Sequence, residues 1–436
     1  MNYPEALEYL DSFTNYEKEK SFKYPEALNL DRMRRLAKEF GNPQNAYPSI
    51  IIAGSKGKGS VASILSSILR MENIKTGLYS SPHLVDVRER IQVNGLLISE
   101  VRFAEYISKI QKMLDEYSWR KDMPTYFEVL TAIAFAHFKD MKVQAAVLEV
   151  GLGGLYDSTN IAEAKVVGLT PIGLEHTDIL GKTIAKIAVQ KCGVIKGREA
   201  IVSSPQTGEA ERVIVDAAER REGRLFWVGR EIKYFERDYG DTFQKFDLRT
   251  PFGDYFDLSL HLLGQHQIEN AAQAVALAKC FEEKTRLKIS EAAIKQGIKD
   301  ARWPGRLEMA PGRPPMILDG AHTRDSMRRM LEGLKRHFHF SRLVTVFGVL
   351  EDKDLPGIFE ELLPDTSILI ATEAGHPRSV PAEKIAEAAE SSGKKVLVKK
   401  NPQEALVLAL EQAAEDDVIL VTGSLYLVAL ARTRGV

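Results

Sequence analysis

The sequence predicts an α/β protein with two domains, of which the larger, N-terminal one is built on a mostly parallel sheet. Between about residues 48 and 200, short apolar runs alternate with helical segments, which is typical of parallel strands joined by crossover helices. A cluster of Pro and Gly, "ARWPGRLEMAPGRPP", then interrupts the chain at 301–315. Because the α/β alternation restarts beyond this cluster, we expect a second, smaller domain there.

The predicted boundaries follow from the same pattern. We expect the N-terminal domain to cover residues 1–300, a linker to cover 301–312 and the C-terminal domain to cover 313–436. At about 223–263 the pattern changes to "RLFWVGREIKYF" and "FDLSLHLLG", separated by "TPFGDY". This stretch predicts antiparallel hairpins, and therefore a small β insertion in the N-terminal domain.

The strands and helices of both domains can be assigned in chain order. The strand "SIIIAG" leads into a helix that continues through Leu69, and "TYFEVLTAIAFAHF" and "QIENAAQAVALAKCF" predict two more helices. Three further N-terminal strands are "TGLYSS", "QAAVLEVG" and "AKVVGLT". The C-terminal strands are "MILDGAH", "SRLVTVFGVL", "TSILIAT", "KKVLVKK" and "DVILVTGS".

The composition excludes several classes of protein. Among 436 residues, 59 Lys and Arg balance 60 Asp and Glu, so no basic excess suggests a nucleic-acid partner. The two cysteines, Cys192 and Cys280, are too few to crosslink so long a chain. The N-terminus lacks the apolar segment of a secretory signal, and no run of about 18 apolar residues suggests a membrane span. We therefore expect a cytoplasmic protein without a membrane partner.

The stretch "IIIAGSKGKGSVAS" predicts a phosphate-binding loop between a strand and a helix. Gly54, Gly57 and Gly59 allow backbone N–H groups to turn toward an anion, and Lys58 lies at the start of the helix. The match to G-x-x-x-x-G-K-[ST] is imperfect, because Ile52 occupies the first glycine position and Gly59 precedes the serine. A glycine-rich turn without a ligand is the alternative.

Two side chains at predicted strand ends are candidate metal ligands. Glu149 ends "AAVLEV", where an acid at the carboxyl end of a parallel strand would face the phosphate loop. His176 follows the next strand, "AKVVGLT". A solvated strand end and a structural histidine are the respective alternatives. The glycines of "EVGLGGLYDSTN" favour a ligand nearby, since they let the backbone approach it closely.

Taken together, these motifs resemble the folylpolyglutamate synthase/dihydrofolate synthase family of Mur-type ATP-dependent amide ligases. The resemblance covers nearly the whole chain, in the family's order. It rests on ten segments: "AGSKGKGSVAS", "TGLYSSPHLVDVRERIQVNG", "TYFEVLTAIAF", "VLEVGLGGLYDSTN", "GLEHTDILGKTIAKIAVQKCGVIK", "LLGQHQIENAAQAV", "RWPGRLE", "ILDGAH", "FGVLEDKD" and "VTGSLYLV". It implies a P-loop-type ATPase domain followed by a Rossmann-like α/β domain.

The resemblance also implies a reaction. ATP would phosphorylate a pteroyl or folyl carboxylate, and the α-amine of L-glutamate would displace phosphate to form an amide. Dihydropteroate, reduced folate or both would be the acceptor, and a monomer is expected. An amide ligase acting on a different carboxylic acid is the alternative.

Site residues implied by the resemblance fall into four groups. Residues assigned to ATP are Gly57, Lys58, Gly59, Ser60 and, on the adenine side, Asn270. Ser81 and Glu149 would hold one Mg²⁺ and His176 a second, with Lys191 carrying a carbamate that joins the second metal. From the C-terminal domain, the nucleotide would be met by Arg306, Asp319 and His322. The pterin-side residues would be Thr125, Tyr126, Phe127, Tyr156, Asp157 and Ser158.

The sequence departs from the family pattern at several of these segments. The phosphate loop usually reads GTNGKGS, whereas Ser55 and Lys56 stand here in place of Thr and Asn. The other departures are Leu155 and Tyr156 within "GGLYDSTN", Glu175 for Asp, Gln190 for Glu and Thr323 for Asn. The change at 155–156 leaves the identity of the acceptor open.

Two hypotheses from other classes compete with a ligase. A P-loop kinase or ATPase switch would need no second nucleotide-contacting domain, so "WPGRLE" and "LDGAH" count against it. A non-catalytic nucleotide-binding protein would not need to keep Ser81, Glu149, His176 and Lys191. We therefore expect an active ligase.

Overall fold

The computed structural model describes residues 1–17, 19, 28, 30–115, 119 and 122–433. It divides into two compact units. Unit 1 comprises residues 1–237, 246–259 and 268–301, and unit 2 comprises 238–245, 260–267 and 302–436. Within the described ranges, every helix is too short or too polar to cross a membrane.

An eight-stranded sheet forms the centre of unit 1. Its strands are β1 (Ser49–Ala53), β2 (Thr76–Tyr79), β3 (Ile91–Val93), β4 (Leu96–Leu97), β5 (Ala145–Glu149), β6 (Ala164–Leu169), β7 (Ala200–Ser203) and β8 (Arg224–Trp227). Their order in the sheet is β4-β3-β2-β5-β1-β6-β7-β8. All neighbouring pairs from β2 to β8 are parallel, and only β3 and β4 run antiparallel to their neighbours. The expected mostly parallel sheet is confirmed.

Ten helices are described in the first 301 residues. They are α1 (Tyr3–Asp11), α2 (Leu30–Glu39), α3 (Lys58–Met71), α4 (Glu100–Leu114), α5 (Tyr126–Asp140), α6 (Thr177–Leu180), α7 (Ile184–Cys192), α8 (Gly208–Arg220), α9 (Gln265–Thr285) and α10 (Glu291–Asp300). The three helices expected from the sequence are α3, α5 and α9. Most side chains of α5 are buried in the core, which explains its nearly continuous apolar sequence.

The expected β insertion is wrong at its N-terminal end. Residues 224–227 form β8, which pairs parallel to β7, with Ile201 opposite Leu225 and Ser203 opposite Trp227. A short apolar run after a turn is compatible with an edge strand as well as with a hairpin. Here the run pairs with β7 and becomes the edge strand of the large sheet. A separate three-stranded sheet follows, in the order β11-β10-β9, formed by β9 (Lys233–Tyr239), β10 (Gln244–Thr250) and β11 (Gly253–Leu260).

Unit 2 contains a six-stranded sheet. Its strands are β12 (Glu308–Ala310), β13 (Met316–Leu318), β14 (Leu343–Phe347), β15 (Ile368–Ala371), β16 (Lys395–Val398) and β17 (Val418–Thr422). The order is β12-β13-β17-β14-β15-β16, and only β12 is antiparallel. The helices are α11 (Arg324–His337), α12 (Leu355–Leu362), α13 (Ala382–Ala389), α14 (Pro402–Gln412) and α15 (Leu425–Thr433). All five C-terminal strands expected from the sequence are present.

Two segments from earlier in the chain complete unit 2. The buried ring of His337 receives a hydrogen bond from the Gly264 N–H at Nε2, 3.3 Å, and its Nδ1–H donates to the Gly240 carbonyl at 2.6 Å. Leu263 lies in the same apolar core as β14 and β17. The segments 238–245 and 260–267 are therefore packed parts of this unit.

Candidate active site

The loop between β1 and α3 is held against the loop that follows β6. The Ser55 N–H donates to the Pro171 carbonyl at 2.9 Å, and the Ser55 hydroxyl exchanges hydrogen bonds with the main chain of Gly173. Gly54 has a φ of 146°, and a Cβ there would lie 1.9 Å from the hydroxyl of Thr170. Only glycine fits this position, so the loop geometry is fixed before any ligand binds.

The other end of the loop begins helix α3. Gly57 has a φ of 85° and caps the helix, which then starts at Lys58, so that Gly59 and Ser60 fall in its first turn. The N–H groups in the first turn of α3 have no partner within the helix. Together with the positive end of the helix dipole, they are suited to binding an anion. A Cβ on Gly57 would lie 2.7 Å from the amide oxygen of Asn270. The structure thus brings the predicted adenine-side residue to the phosphate loop.

Two ammonium groups converge on one carbonyl oxygen of this loop. The Gly54 carbonyl accepts hydrogen bonds from Lys58 Nζ at 3.1 Å and from Lys191 Nζ at 2.8 Å. Lys191 is buried and also pairs with Glu175, with 2.6 Å between Nζ and Oε1. The predicted Lys191 therefore lies directly beneath the phosphate loop, 137 residues away from it in the chain.

Burial and neighbouring charges shift the pKa values of both Glu175 and Lys191. Burial alone would raise the pKa of the Glu175 carboxyl, but the positive charges of Lys191 and Lys58, then Lys56 and His176, lower that pKa to about 2. Burial lowers the pKa of Lys191, and the neighbouring Glu175 opposes this shift. Glu175 is therefore a carboxylate at neutral pH, paired with Lys191.

Oxygen donors lie at the ends of the strands beside the loop. Glu149 ends β5 and pairs in register with Ile52 of β1, so its buried carboxylate lies at the sheet edge from which the phosphate loop starts. The Ser81 N–H donates to Glu149 Oε2 at 3.2 Å, which brings the two predicted ligands together. A carboxylate, a hydroxyl and phosphate oxygens are donors that Mg²⁺ prefers, so this pair fits the ion.

His176 is placed differently from the oxygen donors. It is exposed, has a φ of 46° and caps the short helix α6. Its charge acts on Glu175, its neighbour in the chain. Within the described part of the chain, no three His, Cys, Asp or Glu side chains form a metal-binding group. A metal at this site would therefore depend on water, hydroxyl and phosphate oxygens as well.

The glycine-rich turn after β5 is shaped by Asp157. Its Oδ2 accepts hydrogen bonds from the N–H groups of Gly151 and Leu152, both at 3.0 Å, and its Oδ1 accepts two from Thr159. Ser158 follows, buried at the start of a short 3-10 helix. Asp157 thus organises the backbone of this turn with both carboxylate oxygens.

The aromatic candidates lie against this turn. A Cβ on Gly151 would lie 2.6 Å from the ring of Phe127, so that ring covers the glycine closely. Phe127 also packs against Tyr79, with ring centroids 5.8 Å apart. Tyr156 lies half-buried in the turn itself. The structure therefore joins the 125–127 and 156–158 segments into one region.

Thr125 and Tyr126 have clear structural roles. The hydroxyl of Thr125 caps α5, and Glu128 completes the capping box by accepting the Thr125 N–H at 2.7 Å. Glu128 in turn receives two hydrogen bonds from Arg32. Tyr126 is buried beneath the Arg90 guanidinium, whose carbon lies 5.7 Å from the ring centroid.

The turn after β5 also contacts the helix that carries Lys191. The Leu155 N–H donates to the Gln190 carbonyl at 2.8 Å. A Cβ on Gly154 would lie 2.8 Å from the carbonyl oxygens of both Gln190 and Lys191. Two of the unusual positions, 155 and 190, are therefore in direct contact beside Lys191.

The C-terminal candidates are assembled within unit 2. Both carboxylate oxygens of the buried Asp319 accept main-chain hydrogen bonds, from Leu307 at 2.9 Å and Ala321 at 2.8 Å. Burial raises the pKa of Asp319, and the positive charge of Arg306 opposes this. His322 Nδ1 lies 2.7 Å from the Gly320 carbonyl, so Nδ1 carries the proton and donates it. Asp319 fixes the loops that present Arg306 and His322.

Comparison with known proteins identifies the family. The Mur ligase middle domain matches residues 52–278, and the Mur ligase glutamate ligase domain matches residues 305–425. The dihydrofolate synthase/folylpolyglutamate synthase of Bacillus subtilis is 31% identical over 431 residues, covering 97% of this chain and 99% of that protein. This chain belongs to the folylpolyglutamate synthase/dihydrofolate synthase family.

Solved structures agree with this assignment. Mycobacterium tuberculosis folylpolyglutamate synthase complexed with ADP matches with a TM-score of 0.91 and 32% identity, covering 99% of this chain and 98% of that one. The complex of E. coli FolC with DHPP and ADP matches with a TM-score of 0.87 and 29% identity, covering 99% and 97%. The Mur-type α/β fold expected from the sequence is confirmed.

Several residues of this synthase-family site are not found by sequence reasoning. Arg90 is almost fully buried, pairs bidentately with Glu17 at 2.7 Å and donates to His83 Nδ1 at 2.8 Å. Burial, and then the charge of Arg90, lower the pKa of His83 to about 4. Both residues lie in "SSPHLVDVRER", a segment in which Ser81 is the predicted site residue. In the sequence Glu175 stands out only as a departure from the family pattern, and no local pattern predicts its ion pair with Lys191.

Proposed function

We propose that this protein is an ATP-dependent ligase that joins the α-amine of L-glutamate to the carboxyl group of a pteroyl or folyl acceptor, with both dihydropteroate and reduced folate as substrates. The family and the names of its members support the reaction class. One observation of this chain carries the proposal: Lys58 and Lys191 meet at the Gly54 carbonyl, next to the carboxylate of Glu175. The loop is thus fixed around the Lys58 ammonium and the N–H groups at the start of α3, which suit the terminal phosphates of a nucleotide.

The proposed reaction has two chemical steps. A carboxylate oxygen of the acceptor attacks the γ-phosphorus of ATP, the bond to ADP breaks, and an acyl phosphate forms. The amine of glutamate then attacks the acyl carbon, a tetrahedral intermediate forms, phosphate leaves with the C–O bond electrons, and the amine loses a proton. Activation is needed because a free carboxylate repels nucleophiles and offers no leaving group.

The residues of this chain contribute mainly position and charge. The N–H groups at the start of α3 and the ammonium of Lys58 stabilise negative charge that develops on the phosphoryl oxygens. The bonds from Ser55 to Gly173 and the fit of Gly54 against Thr170 hold the phosphate loop rigid, so little reorganisation is needed when the nucleotide binds. We assign the adenine side to Asn270.

Magnesium fits the donors at the strand ends. We propose that Ser81 and Glu149 hold one Mg²⁺ and that His176 contributes to a second. When bound, these ions neutralise phosphate charge and orient the phosphates. The hydrogen bond from the Ser81 N–H to Glu149 orients the carboxylate in advance.

Lys191 has the environment that a carbamate would need. Carbamylation forms an N–C bond between the neutral amine and dissolved CO2 and releases a proton to solvent, and burial lowers the pKa of Lys191 toward that neutral amine. The ion pair with Glu175 keeps the proton in place, so the carbamate would form at the expense of that pair. We propose that the carbamate supplies an anionic ligand for the second metal.

The acceptor and the remaining nucleotide contacts are assigned to residues already described. We propose that the pterin ring binds near Phe127 and Tyr156, with Thr125, Tyr126, Asp157 and Ser158 shaping the region. An aromatic surface suits a flat heterocycle. We assign Arg306, Asp319 and His322 of unit 2 to nucleotide contacts.

The test is phosphate release with MgATP and L-glutamate, comparing dihydropteroate with tetrahydrofolate and checking the products by mass. Both acceptors should support turnover, and ADP and phosphate should appear only when acceptor and glutamate are both present. Turnover with one acceptor only would restrict the function to a dihydrofolate synthase or to a folylpolyglutamate synthase. No turnover with either, from folded protein that binds ATP, would favour a ligase for another acid, read by Leu155 and Tyr156.

The carbamate has its own test. Lys191→Ala should nearly abolish turnover, and short carboxylates such as acetate should partly restore it by occupying the vacated space. The exposed Lys182 of the preceding loop provides the matched control, since Lys182→Ala should leave the rate unchanged. Full activity of Lys191→Ala would end the carbamate assignment.

A further inference from the structure

The main chain around Ser81 is held by Arg90 on both sides. The Ser80 N–H donates to the Arg90 carbonyl at 3.0 Å, and the Arg90 Nε–H donates to His83 Nδ1 at 2.8 Å. Between these two bonds, the Ser81 N–H donates to Glu149 Oε2 at 3.2 Å. The backbone is therefore fixed before, at and after the residue that is proposed to bind Mg²⁺.

Arg90 can hold this segment because its own side chain is immobilised. That side chain is 1% exposed and forms a bidentate pair with Glu17, with both N–O distances 2.7 Å. The guanidinium carbon also lies 5.7 Å from the centroid of the Tyr126 ring. A guanidinium is planar, so a bidentate pair at its two terminal nitrogens also fixes the direction of the Nε–H bond. That direction is toward His83.

His83 supplies the acceptor that this direction requires. Its Nδ1 accepts from Arg90, so the ring is neutral and carries its proton on Nε2. If residue 83 lacked an acceptor, the buried Nε–H of Arg90 would lose this hydrogen bond, which is costly. Any movement of the segment that withdraws His83 has the same cost. The bond thus ties the loop of Ser81 to the buried Arg90.

We propose that His83 is a positioning residue for Ser81: its Nδ1 anchors the 80–83 segment to Arg90 and thereby holds Ser81 and Glu149 in the arrangement that Mg²⁺ binds. This inference rests on the nucleotide and metal sites of the proposed function. Mg²⁺ demands near-ideal octahedral geometry, so a small displacement of one ligand weakens its binding. Groups that orient metal ligands typically change metal affinity about tenfold or more when they are removed.

The experiment measures the affinity for ADP by isothermal titration calorimetry at a series of Mg²⁺ concentrations, without acceptor or glutamate. In His83→Ala, the Mg²⁺ concentration needed to reach half of the full gain in ADP affinity should rise about tenfold. The affinity for ADP in EDTA should stay unchanged, because the phosphate loop is not altered. A general loss of structure would lower the affinity under both conditions.

His83→Asn tests the bond to Arg90 itself. The Oδ1 of Asn can take the place of His Nδ1 as the acceptor, so this variant should keep the Mg²⁺ requirement of the parent protein. His83→Leu keeps most of the bulk but lacks the acceptor, and it replaces His83→Ala in the comparison if the alanine variant does not fold. The exposed His339 provides the control, and His339→Ala should match the parent.

A double variant tests whether His83 acts through Ser81. Ser81→Ala should raise the Mg²⁺ requirement, and adding His83→Ala should raise it little further, because the ligand that His83 positions is already gone. An unchanged Mg²⁺ requirement in His83→Ala, an equal rise in His83→Asn, or additive effects of the two alanine changes would each overturn the proposal. If the ADP affinity of the parent did not depend on Mg²⁺, the metal site of the proposed function would be wrong, and this inference with it. Absence of ligase turnover would leave all of these comparisons intact.

Discussion

At the scale of single residues, Glu175 supplies the negative charge that pairs with Lys191 beneath the phosphate loop. It is the ion-pair partner of the buried Lys191. Without it, the ammonium of Lys191 would be buried with only a carbonyl oxygen as its partner, which is costly. Glu175 therefore stabilises the buried position of Lys191.

Glu175→Gln should lower the free energy of unfolding by about 3 kcal/mol at pH 7. The folded-state pKa of Glu175 is about 2, below its ordinary value of 4.5, so its contribution is complete above pH 4.5 and is lost as pH falls toward 2. The difference between parent and variant should therefore be constant from pH 7 to about 5 and shrink below pH 4.5. Urea denaturation at a series of pH values measures it.

A surface ion pair gives the control for this prediction. Glu283 pairs with Arg224 at 3.0 Å, with both side chains about half exposed. Glu283→Gln should change the free energy of unfolding by less than about 1 kcal/mol, because solvent screens exposed pairs. A difference for Glu175→Gln that stays constant down to pH 2 would show that its carboxylate is not stabilised by the lysines around it.

At the scale of elements, α3 is placed by its contact with α10. A Cβ on Gly297 of α10 would lie 2.4 Å from the Cα and 2.7 Å from the backbone nitrogen of Ile68. The two helices therefore touch backbone to backbone, so a side-chain rotation cannot relieve the two closest contacts. Since α3 starts at the phosphate loop, this contact also sets the direction of its positive end.

Gly297→Ala should destabilise the protein by about 2 kcal/mol, because the added methyl group must push the helices apart. It should also weaken ADP binding, since a shift of α3 moves the N–H groups at its start. Thermal unfolding and calorimetric titration measure the two effects. Gly208 begins α8 and has no heavy atom within 4 Å of a Cβ, so Gly208→Ala should leave both quantities nearly unchanged. Unchanged stability of Gly297→Ala would contradict the close packing.

At the scale of elements, the sequence predicts features with a local pattern and fails for those that depend on contacts between distant segments. The phosphate loop and Glu149 can be predicted because each lies in a short local pattern at a strand end. The ion pair between Lys191 and Glu175 cannot be predicted in this way, because it depends on how α7 packs beneath the loop. The sequence predicts a hairpin at 224–227 and not the observed edge strand, because four residues show no periodicity that separates the two. In both cases the structure depends on contacts between segments that are not adjacent in the chain.

At the scale of the whole molecule, the units do not follow a single cut in the chain. The sequence places a boundary at the Pro- and Gly-rich segment 301–312, yet unit 2 also contains residues 238–245 and 260–267. Composition marks where a chain is interrupted by turn residues. It carries no information on which earlier segments pack onto a later unit.

A fragment of residues 302–436 should therefore be less stable than one that also carries residues 238–267 fused through a flexible linker. In the shorter fragment, the buried ring of His337 loses its bonds to Gly240 and Gly264, and the core loses Leu263. Two hydrogen bonds and one buried leucine amount to about 3 kcal/mol. Urea denaturation of both fragments measures the difference, and His337→Ala should reduce it because the added segments then lose their main polar anchor. Equal stability of the two fragments would mean that the earlier segments do not support unit 2, and that a single cut near 301 separates two self-sufficient units.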